Sequence, residues 1–89
     1  MISILNFVEL ENRVVAATYR NLMVKAKVVL IDEASGAQLA DPVVTITSRM
    51  PVGAVRMRLP ETVRPGTYFL MALNSRGDVV AKSCAFEVA

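Results

Sequence analysis

Within this 89-residue sequence, Arg76-Gly77-Asp78 spells a cell-adhesion tripeptide. A local reading accounts for it better, since adhesion would need an extracellular setting of which the sequence gives no sign. Asn74, Ser75, Arg76 and Gly77 suit a type I turn, with Gly77 as the left-handed residue leading into the next strand. Other chemistry is sparse. The sequence has no histidine, which removes the commonest general base and metal ligand, and Cys84 is its only cysteine. Cys84 alternates with Phe86 and Val88, which predicts a buried, inert thiol. Asp32, Glu33 and Asp41 flank one turn but lack the Asp-x-Asp-x-Asp spacing of a calcium loop. Glu9 and Glu11 share one side of an extended stretch, and so small a domain has little room for a pocket between them. The four glycines, Gly36, Gly53, Gly66 and Gly77, are too scattered to cradle a phosphate. The expectation is a protein that is not an enzyme, with no catalytic residue, cofactor or metal.

Composition points toward a partner. A chain this short buries only about two-thirds of its unfolded surface, yet 54% of its residues are hydrophobic. Surplus apolar surface on a small domain usually lies in an interface. The net charge of +2 is too mild to imply nucleic acid. The longest apolar run, Tyr68 to Leu73, is far too short to span a bilayer. The first residues, MISILNFVELEN, have no leading Lys or Arg and run into Glu9 and Glu11, so no signal peptide is expected. A lone cysteine adds a lean toward an intracellular or particle-assembled protein. The location expected is a virion or the cytoplasm.

The elements that must carry these residues are strands, because a period of two dominates. Val24, Ala26, Val28 and Leu30 oppose Lys25 and Lys27; Val44 and Ile46 oppose Thr45 and Thr47; Val55, Met57 and Leu59 oppose Arg56 and Arg58. Lys82, Cys84, Phe86 and Val88 share the last such face. Strands are predicted over 2–8, 13–19, 23–32, 42–48, 53–59, 66–74 and 79–88. Pro42, Pro51, Pro60 and Pro65 fall at the strand ends. Residues 2–10 also have a helical spacing in Ile4, Leu5 and Val8. The domain is expected to be single, 1–89, with 1–22 as an N-terminal arm or strand extension.

The segment LPETVRPGTYFLMALNSRGDVVAKSCAFEV resembles the last three strands of bacterial and phage immunoglobulin-like domains. It has an arginine-and-valine strand ending in Leu-Pro, a PGTY opening at Pro65–Tyr68, a glycine hairpin and a final Phe86-x-Val88. The resemblance covers the last third of the chain. It implies an all-β, immunoglobulin-like antiparallel sandwich of about seven strands, with no shared active site.

In that frame Tyr68, Leu70 and Ala72 point inward, and the Tyr68 hydroxyl needs a backbone partner. Phe69, Met71 and Leu73 then lie on the opposite face, where polar residues are usual. Either a partner covers them or residues 2–8 fold across them. With Arg56 and Arg58 as polar anchors, they form the expected partner interface. The functional expectation is a non-catalytic structural subunit of a larger assembly, a virion or phage-like particle component such as a capsid decoration or tail-associated protein. The alternatives are a surface adhesion or carbohydrate-binding module and a small intracellular protein-binding regulator.

Overall fold

A computed structural model describes residues 2–89, and it is all-β. Eight strands run in order: β1 (Ile4–Glu11), β2 (Val14–Arg20), β3 (Lys27–Asp32), β4 (Gln38–Thr45), β5 (Val52–Arg58), β6 (Gly66–Leu73), β7 (Val79–Lys82) and β8 (Phe86–Val88). They form two antiparallel sheets. One has the order β1-β2-β5; the other has β4-β3-β6-β7, with β8 also paired to β6. Among the described residues no helix is long and apolar enough to cross a membrane.

One core lies between the sheets, and the period-two residues fill it. Leu5, Val15, Ala17, Tyr19, Val55 and Met57 come from the three-stranded sheet, and Val28, Leu30, Tyr68, Leu70, Ala72, Phe86 and Val88 from the other. Phe7 of β1 stacks on Phe86 of β8, with ring centroids 4.4 Å apart and planes 6° from parallel, so β1 is stapled to the opposite sheet. The segment with helical spacing is therefore a strand. It pairs with β2 instead of crossing the outer face of β6, as one of the two sequence-based alternatives required.

Turn chemistry follows the backbone. The 74–78 hairpin closes as its spacing predicts: Gly77 N–H donates to Asn74 O at 2.9 Å, and Gly77 has φ +86°. Asn74 Oδ1 accepts from both Arg76 N–H and Asp78 N–H at 2.9 Å, so the adhesion-like tripeptide is an exposed turn held by its own asparagine. The β1–β2 turn uses Asn12 and Arg13, both at positive φ. Arg13 Nη2 then donates to Pro60 O at 2.7 Å and Val63 O at 3.3 Å, holding the β5–β6 connection against that turn.

Four expectations are corrected. The predicted strand 79–88 is broken at Ser83–Ala85. There Leu70 N–H donates to Ser83 Oγ at 2.9 Å and Ser83 N–H donates to Leu70 O at 2.8 Å, so the hydroxyl substitutes for a ladder carbonyl. The break shifts the phase: Lys82 stands on the outer face, Phe86 and Val88 on the inner, and Cys84 is exposed, not buried. Pro42 lies inside β4 and not at its start, which an edge strand tolerates because no partner needs its N–H. Val24 is exposed and lies ahead of β3, where Lys25 at φ +76° turns the chain before the strand begins.

The Tyr68 hydroxyl donates to Arg64 O at 2.7 Å across the corner into β6. Tyr68→Phe should keep the ring packed and lower stability by about 1 kcal/mol in urea unfolding, the net worth of one such bond. Gly77→Ala should cost about 1 kcal/mol through its left-handed conformation alone.

Candidate functional site: the outer face of the larger sheet

Register places the side chains of each outer face in rows. On the sheet β4-β3-β6-β7, one row runs Thr45, Lys27, Leu73, Val79; the next runs Val43, Val29, Met71, Lys82; the third runs Gln38, Ile31, Phe69. Seven of these eleven residues are apolar and none is acidic; the next row, where β8 pairs with β6, adds Thr67 and the exposed Glu87. Val29 and Ile31 are only 1% and 2% exposed although no strand lies over them. The flanking Val43, Met71 and Phe69 side chains shield them, as cross-strand neighbours on a pleated face do. Phe69, Met71 and Leu73 are half-buried, while Val43 and Val79 are 42% and 50% exposed.

Cations border this floor at one end and along one side. Lys82 Nζ lies 6.0 Å from the Phe69 ring centroid, at the limit of a cation–π contact. Lys25, Lys27 and Arg76 line a depression at one end of the face together with Val29, Val43 and Leu73. The arrangement is an apolar strip with a basic border at one end and one side.

The sequence places Phe69, Met71 and Leu73 together, and they do form one ladder on β6. Arg56 and Arg58 are the exception. They project from β5, on the outer face of the three-stranded sheet, on the far side of the core. Alternation put them opposite Val55 and Met57 correctly, but it carries no information about which sheet a strand joins. The cations beside the apolar strip are Lys25, Lys27, Arg76 and Lys82 instead. Val29, Ile31 and Val43 were missed as members of the strip. The uninterrupted apolar run Val28–Ile31 was the available signal, since it implies burial on both faces of a central strand.

The other outer face has a different character. Its rows are Ile4, Arg20, Val52; Asn6, Thr18, Ala54; Glu9, Ala16, Arg56; and Glu11, Val14, Arg58. Charges of both signs are interspersed there, as on an ordinary solvated sheet. At one end of the sandwich, exposed Met23 and Met50 border a separate shallow cleft with Leu22, Val24 and Pro51. Asp32 Oδ1 accepts from Ala34 N–H within its own turn, and no group of three or more Asp, Glu, Cys or His side chains is placed to hold a metal among the described residues.

No protein-family model matches the chain, and no curated protein is significantly similar to it.

The two faces of β6 should respond oppositely to charge. Leu70→Glu places a carboxylate in the core and should abolish cooperative unfolding. Met71→Glu, one residue away, should retain the native circular dichroism spectrum and lose no more than about 1 kcal/mol.

Proposed function

We propose that this chain is an immunoglobulin-like, non-catalytic structural subunit of a larger assembly, and that it docks through the outer face of its larger sheet. The strand order supports the immunoglobulin-like reading. A sheet β1-β2-β5 faces a sheet in which β3, β6 and β7 are neighbours, which corresponds to the A-B-E and C-F-G groupings of that fold. The Tyr68-to-Arg64 bond at the entry to β6 has the form of the tyrosine corner of such domains, which supports the same reading. The resemblance of the last third of the sequence to bacterial and phage domains makes a particle component, a capsid decoration or tail-associated protein, the preferred setting.

The observation that carries the docking role is the contrast between the two outer faces. One is polar and mixed in charge. The other is an apolar strip of Val29, Val43, Ile31, Phe69, Met71 and Leu73 with lysines beside it, and its one in-register carboxylate, Glu87 opposite Thr67, stands beyond the Phe69 end. A stable interface buries about 1,200 Å² or more in total, so the strip and its border would supply most of one side. The basic border opposes pairing of this face with itself. Copies therefore meet through unlike surfaces, which generates rings or open arrays.

Light scattering coupled to size-exclusion chromatography tests this reading. The wild-type chain should associate with rising concentration, and more strongly as salt is lowered. Met71→Glu should remain a folded monomer throughout. A wild-type monomer at several hundred micromolar, or a Met71→Glu variant that associates normally, contradicts the role given to this face.

A further inference from the structure

Of the four sheet edges, three are interrupted. β1 has a bulge between Phe7 and Glu9, β4 contains Pro42 and a register shift, and the β7–β8 edge is broken at Ser83–Ala85. Such irregularities are how natural sheets discourage addition of a further strand. β5 has none. It pairs with β2 over seven consecutive residues, Val52 to Arg58, without a shift.

The direction of its backbone groups follows from the ladder. Leu59 N–H donates to Arg13 O and Asn21 N–H donates to Pro51 O, both at 2.7 Å, so the odd-numbered positions face β2. Val52, Ala54, Arg56 and Arg58 then aim four N–H and four C=O groups at the open side, where no strand among the described residues pairs with them. A second feature lies beside this edge. The three-stranded sheet is one strand narrower than its partner sheet, and β4 is the strand of that sheet which approaches β5. The inward residues of β4, Leu39 and Val44, pack on the core yet stay only half-buried.

We infer that the β5 edge accepts an extended segment of a partner protein in which apolar and acidic residues alternate. Backbone hydrogen bonds to the four free positions supply the binding, as in other strand additions. The apolar side chains of the segment extend the core over Leu39 and Val44. Its carboxylates stand beside Arg56 and Arg58, whose i, i+2 spacing matches alternate residues of an added strand. A second copy of β5 is disfavoured as occupant in two registers. An antiparallel pairing that brings Arg56 opposite its own copy sets like charges face to face, and one centred on Val55 still leaves them diagonal neighbours. One centred on Ala54, with Arg56 opposite Val52, has no such clash and is tested by shifts without peptide.

This inference does not rest on the apolar-face reading, and one titration separates the two. The probes are the blocked peptides acetyl-(Val-Glu)4-amide and acetyl-(Val-Lys)4-amide, followed by amide chemical shifts of the labelled full chain. The Val-Glu peptide should move the amides of Val52, Ala54, Arg56 and Arg58, and the Val-Lys peptide should not. Ala54→Pro removes a free donor that β2 does not use, and should weaken binding at least tenfold. The double variant Arg56→Glu, Arg58→Glu should reverse the preference between peptides. Met71→Glu should bind as the wild type does. The inference is overturned by no binding at millimolar peptide, by equal response to both peptides, or by shifts confined to other edges. Unaltered affinity in Ala54→Pro, or concentration-dependent shifts at these amides without peptide, also overturns it, the last because a second copy then fills the edge. Loss of binding in Met71→Glu would place the peptide on the apolar face instead.

Discussion

The surface of this domain depends on the seating of β6. Tyr68, Leu70 and Ala72 occupy the core, and the Tyr68 hydroxyl is tied to Arg64 O at 2.7 Å. In a strand of period two, fixing one residue fixes every other, because a slip of one position exchanges the faces. Seating β6 this way turns Phe69, Met71 and Leu73 outward. The pairing of β6 with β3 then sets them beside Ile31, Val29 and Lys27. An apolar exterior on the larger sheet is a consequence of a well-anchored core, not of loose packing.

The same constraint explains why phase shifts matter elsewhere. Before the bulge in β1, even-numbered residues face out; beyond it Glu9 and Glu11 do, and Leu10 turns toward the core. Were that residue accommodated without a bulge, two carboxylates would point into the sandwich. At Ser83–Ala85 the break carries Lys82 outward and returns Phe86 inward, where it stacks on Phe7. Both irregularities also interrupt a sheet edge, so one device keeps charge out of the core and limits stray strand pairing. β5 needs no such correction, and its edge remains regular.

Much of this architecture can be read in the residues themselves. The alternation in β3, β5 and β6, the 74–78 hairpin and the inward Tyr68 all follow from local pattern, and so does the ladder Phe69, Met71, Leu73. What escapes is non-local. Nothing around Val8 or Ser83 marks a bulge, because neither site carries a glycine or proline. Strand order depends on tertiary packing, so Arg56 and Arg58 could be placed outward but not assigned to a sheet. The apolar run Val28–Ile31 hints at burial on both faces, but the neighbours that shield Val29 and Ile31 lie on β4 and β6, which no window along the chain contains.

Methyl NMR spectra recorded over a range of protein concentrations test most directly whether the apolar face is the docking surface. The account predicts that, as copies associate, the methyl signals of Val43, Met71 and Leu73 shift, while those of the core residues Val28 and Leu70 hold still. Association that leaves Val43, Met71 and Leu73 unmoved would contradict it.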